Sequence, residues 1–153
     1  MTGLERIAEA FAQARNEGRA ALMPYLTAGY PSLEATQQLV PALARAGADL
    51  LELGVPFSDP IADGPIIQRA AHTALQQGVT PGDCLALVRD LRGAGLQMPI
   101  LLMGYYNPID AAGPAAYVWS AREAGVDGLI VPDLPLEEAA ELAAACGAER
   151  LAL

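Results

Sequence analysis

The sequence predicts an α/β protein built on a parallel sheet, and three observations carry that expectation. Short apolar runs alternate along the chain with segments of helical periodicity. The turn from a helix into the next strand recurs: Ala46-Gly47-Ala48-Asp49-Leu50-Leu51 returns as Ala124-Gly125-Val126-Asp127-Gly128-Leu129, and more loosely as Cys146-Gly147-Ala148-Glu149-Arg150-Leu151. The strands are short and apolar enough to be covered on both faces, as parallel sheets are. Two closures satisfy these facts, a (β/α)8 barrel and a doubly wound sheet. No GxGxxG follows the first strand, which weighs against a dinucleotide-binding sheet. Five strands are counted in 153 residues, the fifth at the chain end, whereas a TIM barrel takes about 250 residues. The expectation is therefore one incomplete TIM (β/α)8 barrel domain over residues 1–153, with about five of eight units and the C-terminal units missing.

Each element has a local reason. Leu4, Ile7, Ala8 and Phe11 recur at helical spacing, and Gly18 ends that helix. Ala20 to Leu26 is a continuous apolar run and reads as the first strand. Ser32 caps a helix that ends at Ala46 before Gly47. Leu50 to Leu53 is the second strand, and a helix from about Pro65 to Gln77 follows, with proline in its first turn. Thr80 caps the next helix, which ends near Gly93. Pro99 to Met103 is the third strand, and Gly104 to Pro108 reads as loop. Pro114 to Gly125 is a helix, Gly128 to Val131 the fourth strand, Pro135 to Cys146 a helix, and Arg150 to Leu153 a fifth strand.

Composition narrows the function classes. Hydrophobic residues make up 53% of the chain and the net charge is −9. That balance argues against nucleic acid, whose phosphates attract clustered Lys and Arg. Cys84 and Cys146 lie in helical patterns without CxxC or Cys/His spacing, as small buried hydrophobes of a reducing cytosol do. His72 is the only histidine and there is no lysine, so histidine triads and multi-histidine metal sites have little to build on. No apolar run reaches membrane-spanning length and no signal-peptide pattern opens the chain. The expectation is a cytoplasmic protein that uses no metal.

In a barrel the chemistry sits at the C-terminal ends of the strands and in the loops beyond them. The most informative loop is Gly54-Val55-Pro56-Phe57-Ser58-Asp59-Pro60-Ile61-Ala62-Asp63-Gly64, stiffened by proline and glycine. It follows Glu52, a lone carboxylate inside an apolar strand. Alternation puts Leu51 and Leu53 on one face and Leu50, Glu52 and Gly54 on the other, so Glu52 points into the barrel mouth if the first pair packs under helices. A carboxylate there is placed for general acid–base work. Asp63 precedes a helix start, where capping and ligand recognition are both open to it. Asp59, between Ser58 and Pro60, reads as a turn residue or a site residue. Tyr105 and Tyr106 suit a core or the wall of an aromatic-ligand pocket, and Asp133 suits a turn or a site.

The run from Leu51 to Pro65 resembles the signature of the tryptophan synthase alpha subunit family. Pro24-Tyr25-Leu26-Thr27-Ala28-Gly29-Tyr30-Pro31, Met103-Gly104-Tyr105-Tyr106-Asn107-Pro108 and Val131-Pro132-Asp133-Leu134-Pro135 are similar to that family in the same order and spacing. The resemblance implies a lyase of tryptophan biosynthesis that cleaves indole-3-glycerol phosphate to indole and glyceraldehyde 3-phosphate. It implies no cofactor in this subunit, and an αββα complex with a beta subunit that holds pyridoxal phosphate and consumes the indole. By position, Glu52 matches the catalytic acid–base and Asp63 the aspartate that meets the indole N–H. Tyr25, Ile67, Met103, Tyr105 and Ile130 match the substrate pocket, and Pro56, Asp59 and Asn107 the beta-subunit face. Two departures stand out: Tyr25 occupies a position where phenylalanine is expected, and the glycine-rich phosphate loops of the later units are absent. The competing readings are another phosphate-handling barrel, for which a strand-end lysine would be expected, and a non-catalytic scaffold that keeps only the partner-binding face. The chain by itself is expected to show no lyase activity.

Overall fold

The computed structural model describes residues 1–153. The elements are α1 (Gly3–Asn16), β1 (Tyr25–Thr27), α2 (Leu33–Arg45), β2 (Leu51–Gly54), α3 (Pro65–Gln76), α4 (Pro81–Gly93), β3 (Ile100–Met103), α5 (Tyr106–Ala112), α6 (Pro114–Ala124), β4 (Gly128–Ile130) and α7 (Ala140–Glu149). The strands form one sheet in the order β1-β2-β3-β4, every pair parallel. A doubly wound sheet reverses its strand order at a switch point, whereas a barrel wall adds each strand beside the last. The unreversed order decides for the barrel wall.

Helix starts follow the local signals. Thr2 and Thr80 form capping boxes with Glu5 and Asp83, Ser32 accepts from the Ala35 N–H, and prolines open α3, α4 and α6. One face of the sheet is covered by the helices. Leu51, Leu53, Ile100, Leu102 and Leu129 are buried against Val40, Cys84, Leu87, Val88, Leu91, Val118, Leu142 and Cys146. Each such side chain contributes about 1.5–3 kcal/mol of burial. Both cysteines are small apolar fillers here, and burial pushes the Cys84 thiol up to about 12 and the Cys146 thiol up to about 11.

The repeated helix–strand turn has a function that its spacing alone did not show. Asp49 takes the N–H of Leu22 at 2.7 Å and a bidentate pair from Arg19. Asp127, fully buried, takes the N–H of Ile100 at 2.7 Å, Arg92 at 2.6 Å and Arg6. In both copies the aspartate at the foot of one strand binds the backbone at the foot of the strand before it and an arginine from elsewhere. Arg6 lies on α1, so this bond also holds the N-terminal helix under the sheet. Gly3 packs so closely on the Asp127 backbone that any side chain there would collide with it.

Four expectations need correction. The first strand is shorter than the apolar run, because the Leu22 N–H is given to Asp49 and Pro24 has none to give. The segment read as loop after β3 holds the seven-residue α5, whose first N–H, from Tyr106, is accepted by Asp133 at 3.0 Å. That cap comes from 27 residues away and leaves no local signal. The helix expected over Pro135 to Cys146 begins as a 3₁₀ turn at Leu136–Glu138 and continues as α7 through Gly147 to Glu149. In this third copy the left-handed position therefore falls on Arg150 (φ 57°) rather than on a glycine. Last, the fifth strand is present only as one parallel bridge, Ala152 with Gly128, so the sheet has four strands rather than five.

Candidate active site

The face of the sheet turned away from the helices carries the candidate residues in two rows. The register aligns Tyr25 with Glu52, Glu52 with Leu101, and Leu101 with Gly128. One step nearer the strand ends, Thr27, Gly54, Met103 and Ile130 align in the same way. Side chains two apart on a strand share a face, so Tyr25, Glu52, Met103 and Ile130 share one surface at the mouth of the barrel wall. Leu101, beside Glu52, belongs to this surface and escaped the sequence reading, since an aliphatic residue inside an apolar strand carries no signal of its own. Tyr25, Glu52, Leu101, Met103 and Ile130 are all half-buried, in contrast to the fully buried leucines behind them. Glu52 takes part in no ion pair, which leaves its carboxylate free for a ligand.

Gly54 is required by close approach. A Cβ at this position would overlap the Tyr25 hydroxyl, which lies across the second row. Thr27, itself buried, bonds that hydroxyl at 3.4 Å.

Asp63 is delivered to the same mouth by the acidic loop. The cap of α3 is Gly64, with no side-chain cap bond, so the capping reading of Asp63 is replaced by a half-buried carboxylate without that duty. The loop is anchored on both sides of it. The Ala62 N–H donates to the Tyr105 hydroxyl at 3.0 Å, and Gln68 Nε2 donates to the Asp63 carbonyl at 2.9 Å. Phe57 stacks on Tyr105 with ring centroids 5.2 Å apart. Tyr105 is thus the post that ties the loop after β2 to the end of β3.

The electrostatics show that these groups share a site. Burial raises the Tyr25 phenol first, a bond from Thr27 opposes this, and the charges of Asp63, Tyr105 and Glu52 add to the rise. Burial likewise raises the Tyr105 phenol; the bond from Ala62 lowers it and the Asp63 charge raises it. The charges of Asp63 and Glu52 therefore reach the Tyr25 phenol, and that of Asp63 reaches Tyr105 as well.

The other candidates separate. Ile67 is half-buried in the first turn of α3. Asp59 is exposed and bonded by Ser58 at 2.5 Å, and Asn107 is exposed on α5. Pro56 is buried, lining with Val55, Leu102, Ile109 and Tyr117 the packed space behind Tyr105. Asp133 is engaged at the α5 N-terminus. No group of three or more His, Cys, Asp or Glu side chains is arranged to hold a metal ion, and no helix is long and apolar enough to cross a membrane.

Residues 11–153 match the family model described as tryptophan synthase alpha chain. The chain is 55% identical over 150 residues to the tryptophan synthase alpha chain of Chloroflexus aggregans, an alignment covering 98% of this chain and 56% of that relative. It is 55% identical to that of Bordetella parapertussis, covering 94% of this chain and 51% of the relative. Among solved structures, tryptophan synthase subunit alpha of Legionella pneumophila superposes with a TM-score of 0.92 at 42% identity, covering 95% of this chain and 56% of that one. A chain of the tryptophan synthase complex of Pyrococcus furiosus superposes with a TM-score of 0.81 at 41% identity, covering 86% and 54%. The chain spans about half the length of the relatives it matches.

Proposed function

We propose, for a chain that belongs to the tryptophan synthase alpha chain family, that it supplies the acid–base part of a site that releases indole from indole-3-glycerol phosphate. The single observation that carries this reading is Glu52 on a half-buried strand face with Tyr25, Leu101, Met103 and Ile130, together with Asp63 in the stiff loop beyond it, both acids near enough to Tyr25 to raise its phenol. Protonation of the indole ring at C3 by Glu52 places positive charge on the ring nitrogen, where the fixed Asp63 carboxylate accepts the N–H and stabilises that charge. The bond from C3 to the glycerol chain then breaks. Its electron pair restores the aromatic ring, and the adjacent hydroxyl becomes the carbonyl of glyceraldehyde 3-phosphate as its proton returns to Glu52. The proton given at C3 leaves with indole, so the carboxylate ends in its starting state and no cofactor takes part. The wall of Met103, Ile130 and Tyr105 suits a flat aromatic ring.

Asp59 on the acidic loop and Asn107 on α5 are both exposed beside this mouth, which supports a face for a beta subunit that takes up the indole. A scaffold keeping only that face would not need Glu52 facing inward without a partner, and this disfavours the scaffold reading. Glu52→Gln tests the assignment in a full-length protein carrying this half. Indole release should fall by about 10²–10⁴-fold, the contribution of a positioned proton donor, with unchanged circular dichroism. Near-normal turnover would make Glu52 structural.

A further inference from the structure

We propose that Asp133 is a positioning residue that, through the Tyr106 N–H and the Tyr105 hydroxyl, fixes the loop arm carrying Asp63. The inference rests on the site reading above. Asp133 is half-buried in the turn after β4, between Pro132 and Leu134, and takes part in no ion pair. Both of its oxygens face one donor, the Tyr106 N–H, at 3.0 and 3.2 Å. The Gly104 N–H is held by the Ile130 carbonyl at 3.0 Å. Tyr105 therefore stands between two backbone groups that the fourth unit fixes, and that unit sets the direction of its buried side chain.

The Tyr105 side chain reaches the acidic loop. That loop leaves β2 with the Val55 N–H bonded to the Met103 carbonyl at 2.8 Å. From Pro56 to Ile61 its one hydrogen bond is internal, from Ser58 to Asp59. The next tie to the sheet is the Ala62 N–H, given to the Tyr105 hydroxyl at 3.0 Å, with Phe57 stacked on the same ring. Asp63 follows at once. Burial raises the Tyr105 phenol, and the Asp63 carboxylate raises it further by its charge and by accepting the hydroxyl proton. One hydroxyl thus accepts from the loop backbone and donates to the acid, as a phenol can. Swung away, it would release both, and a misplacement of about 1 Å can cost about 10²-fold in rate. A plain helix cap would stabilise α5 and touch nothing in the loop; the hydroxyl extends the effect of Asp133 to Asp63.

The test uses a full-length protein carrying this half. Asp133→Ala should lower kcat by about 10–100-fold with KM little changed, because Asp63 meets a charge that grows in the transition state. Asp133→Asn keeps an oxygen for the Tyr106 N–H and should restore most of kcat. The ¹⁵N–¹H resonance of Ala62 should move in Asp133→Ala and hold its place in Asp133→Asn, a response that a plain cap of α5 would not give. In a Tyr105→Phe background, which already lacks the hydroxyl, Asp133→Ala should cause no further loss of kcat. An unmoved Ala62 resonance, or losses that multiply in the double variant, overturn the proposal. If Asp133→Ala does not fold, Asp133→Leu replaces it in every readout, since leucine fills the same space without an acceptor. Full kcat in Asp133→Ala beside an inactive Glu52→Gln would sink the positioning role alone; an active Glu52→Gln would sink the site reading instead.

Discussion

Asp127→Asn offers the sharpest test of how this half-barrel is held together. The aspartate is fully buried and accepts from Arg6, Arg92 and the Ile100 N–H, while the two arginine side chains remain 21% and 16% exposed. Asparagine keeps the shape and one acceptor oxygen, but it removes the charge and turns an amide N–H toward a guanidinium. Breaking a buried ion pair from one side costs about 3–5 kcal/mol. Arg92 retains the carbonyls of Gly125, Leu96 and Met98, and Arg6 retains that of Met1, which places the loss near the lower end, about 3 kcal/mol. At about 2–4 °C per kcal/mol for a chain of this size, Tm should fall by about 6–12 °C. Urea unfolding followed by circular dichroism measures it, with an unchanged m-value as the sign that compactness is retained. Arg6→Met is the companion variant. It removes one tie of α1, which keeps the bond from the Leu4 N–H to the Arg150 carbonyl, and leaves Asp127 with Arg92 and Ile100, so it should cost about 1.5–3 kcal/mol, the net value of one charged hydrogen bond. A loss below about 1 kcal/mol for Asp127→Asn, well under the one-sided cost of a buried pair, would refute the reasoning, as would a larger loss for Arg6→Met.

Gly54→Ala should displace Tyr25 and cost about 1–3 kcal/mol by overpacking; unfolding together with the Tyr25 ring resonances reports both effects. Arg150→Gly should gain about 0.5–1 kcal/mol, since Arg150 holds a left-handed conformation and its pair with Glu5 at 3.5 Å is exposed. Asp49 sets a pH dependence. Bonds from Arg19 and the Leu22 N–H lower its carboxyl from 3.8 to about 2. A depressed carboxyl stabilises the fold above its unfolded value, so this contribution is complete above about pH 4 and is lost as pH falls toward 2. Acid unfolding should therefore lose part of its slope in that window in Asp49→Asn, and an identical acid profile would count against the bond.

Much of the architecture could be read from local chemistry. Helix starts at Thr2, Ser32 and Thr80 depend on a side chain bonding a backbone N–H three residues away, and such bonds are written in adjacent residues. The inward direction of Glu52 followed from the two-residue period of a strand. What escaped was nonlocal. The chain from Ala20 to Pro24 is apolar enough for a strand, yet its pairing was settled by Asp49, and α5 begins where Asp133 supplies an acceptor from the next unit. The third turn copy looked like the first two until α7 ran through Gly147. At the site, the spacing of Glu52 and Asp63 was legible, because a stiff loop after a buried acid is a local pattern. The Leu101 flank, the burial of Pro56, the Tyr105 anchor on Ala62 and the Tyr25 hydroxyl over Gly54 came only from the tertiary structure. The physical reason is range: periodicity and capping act over a few residues of chain, whereas register and close approach depend on which strand lies beside which.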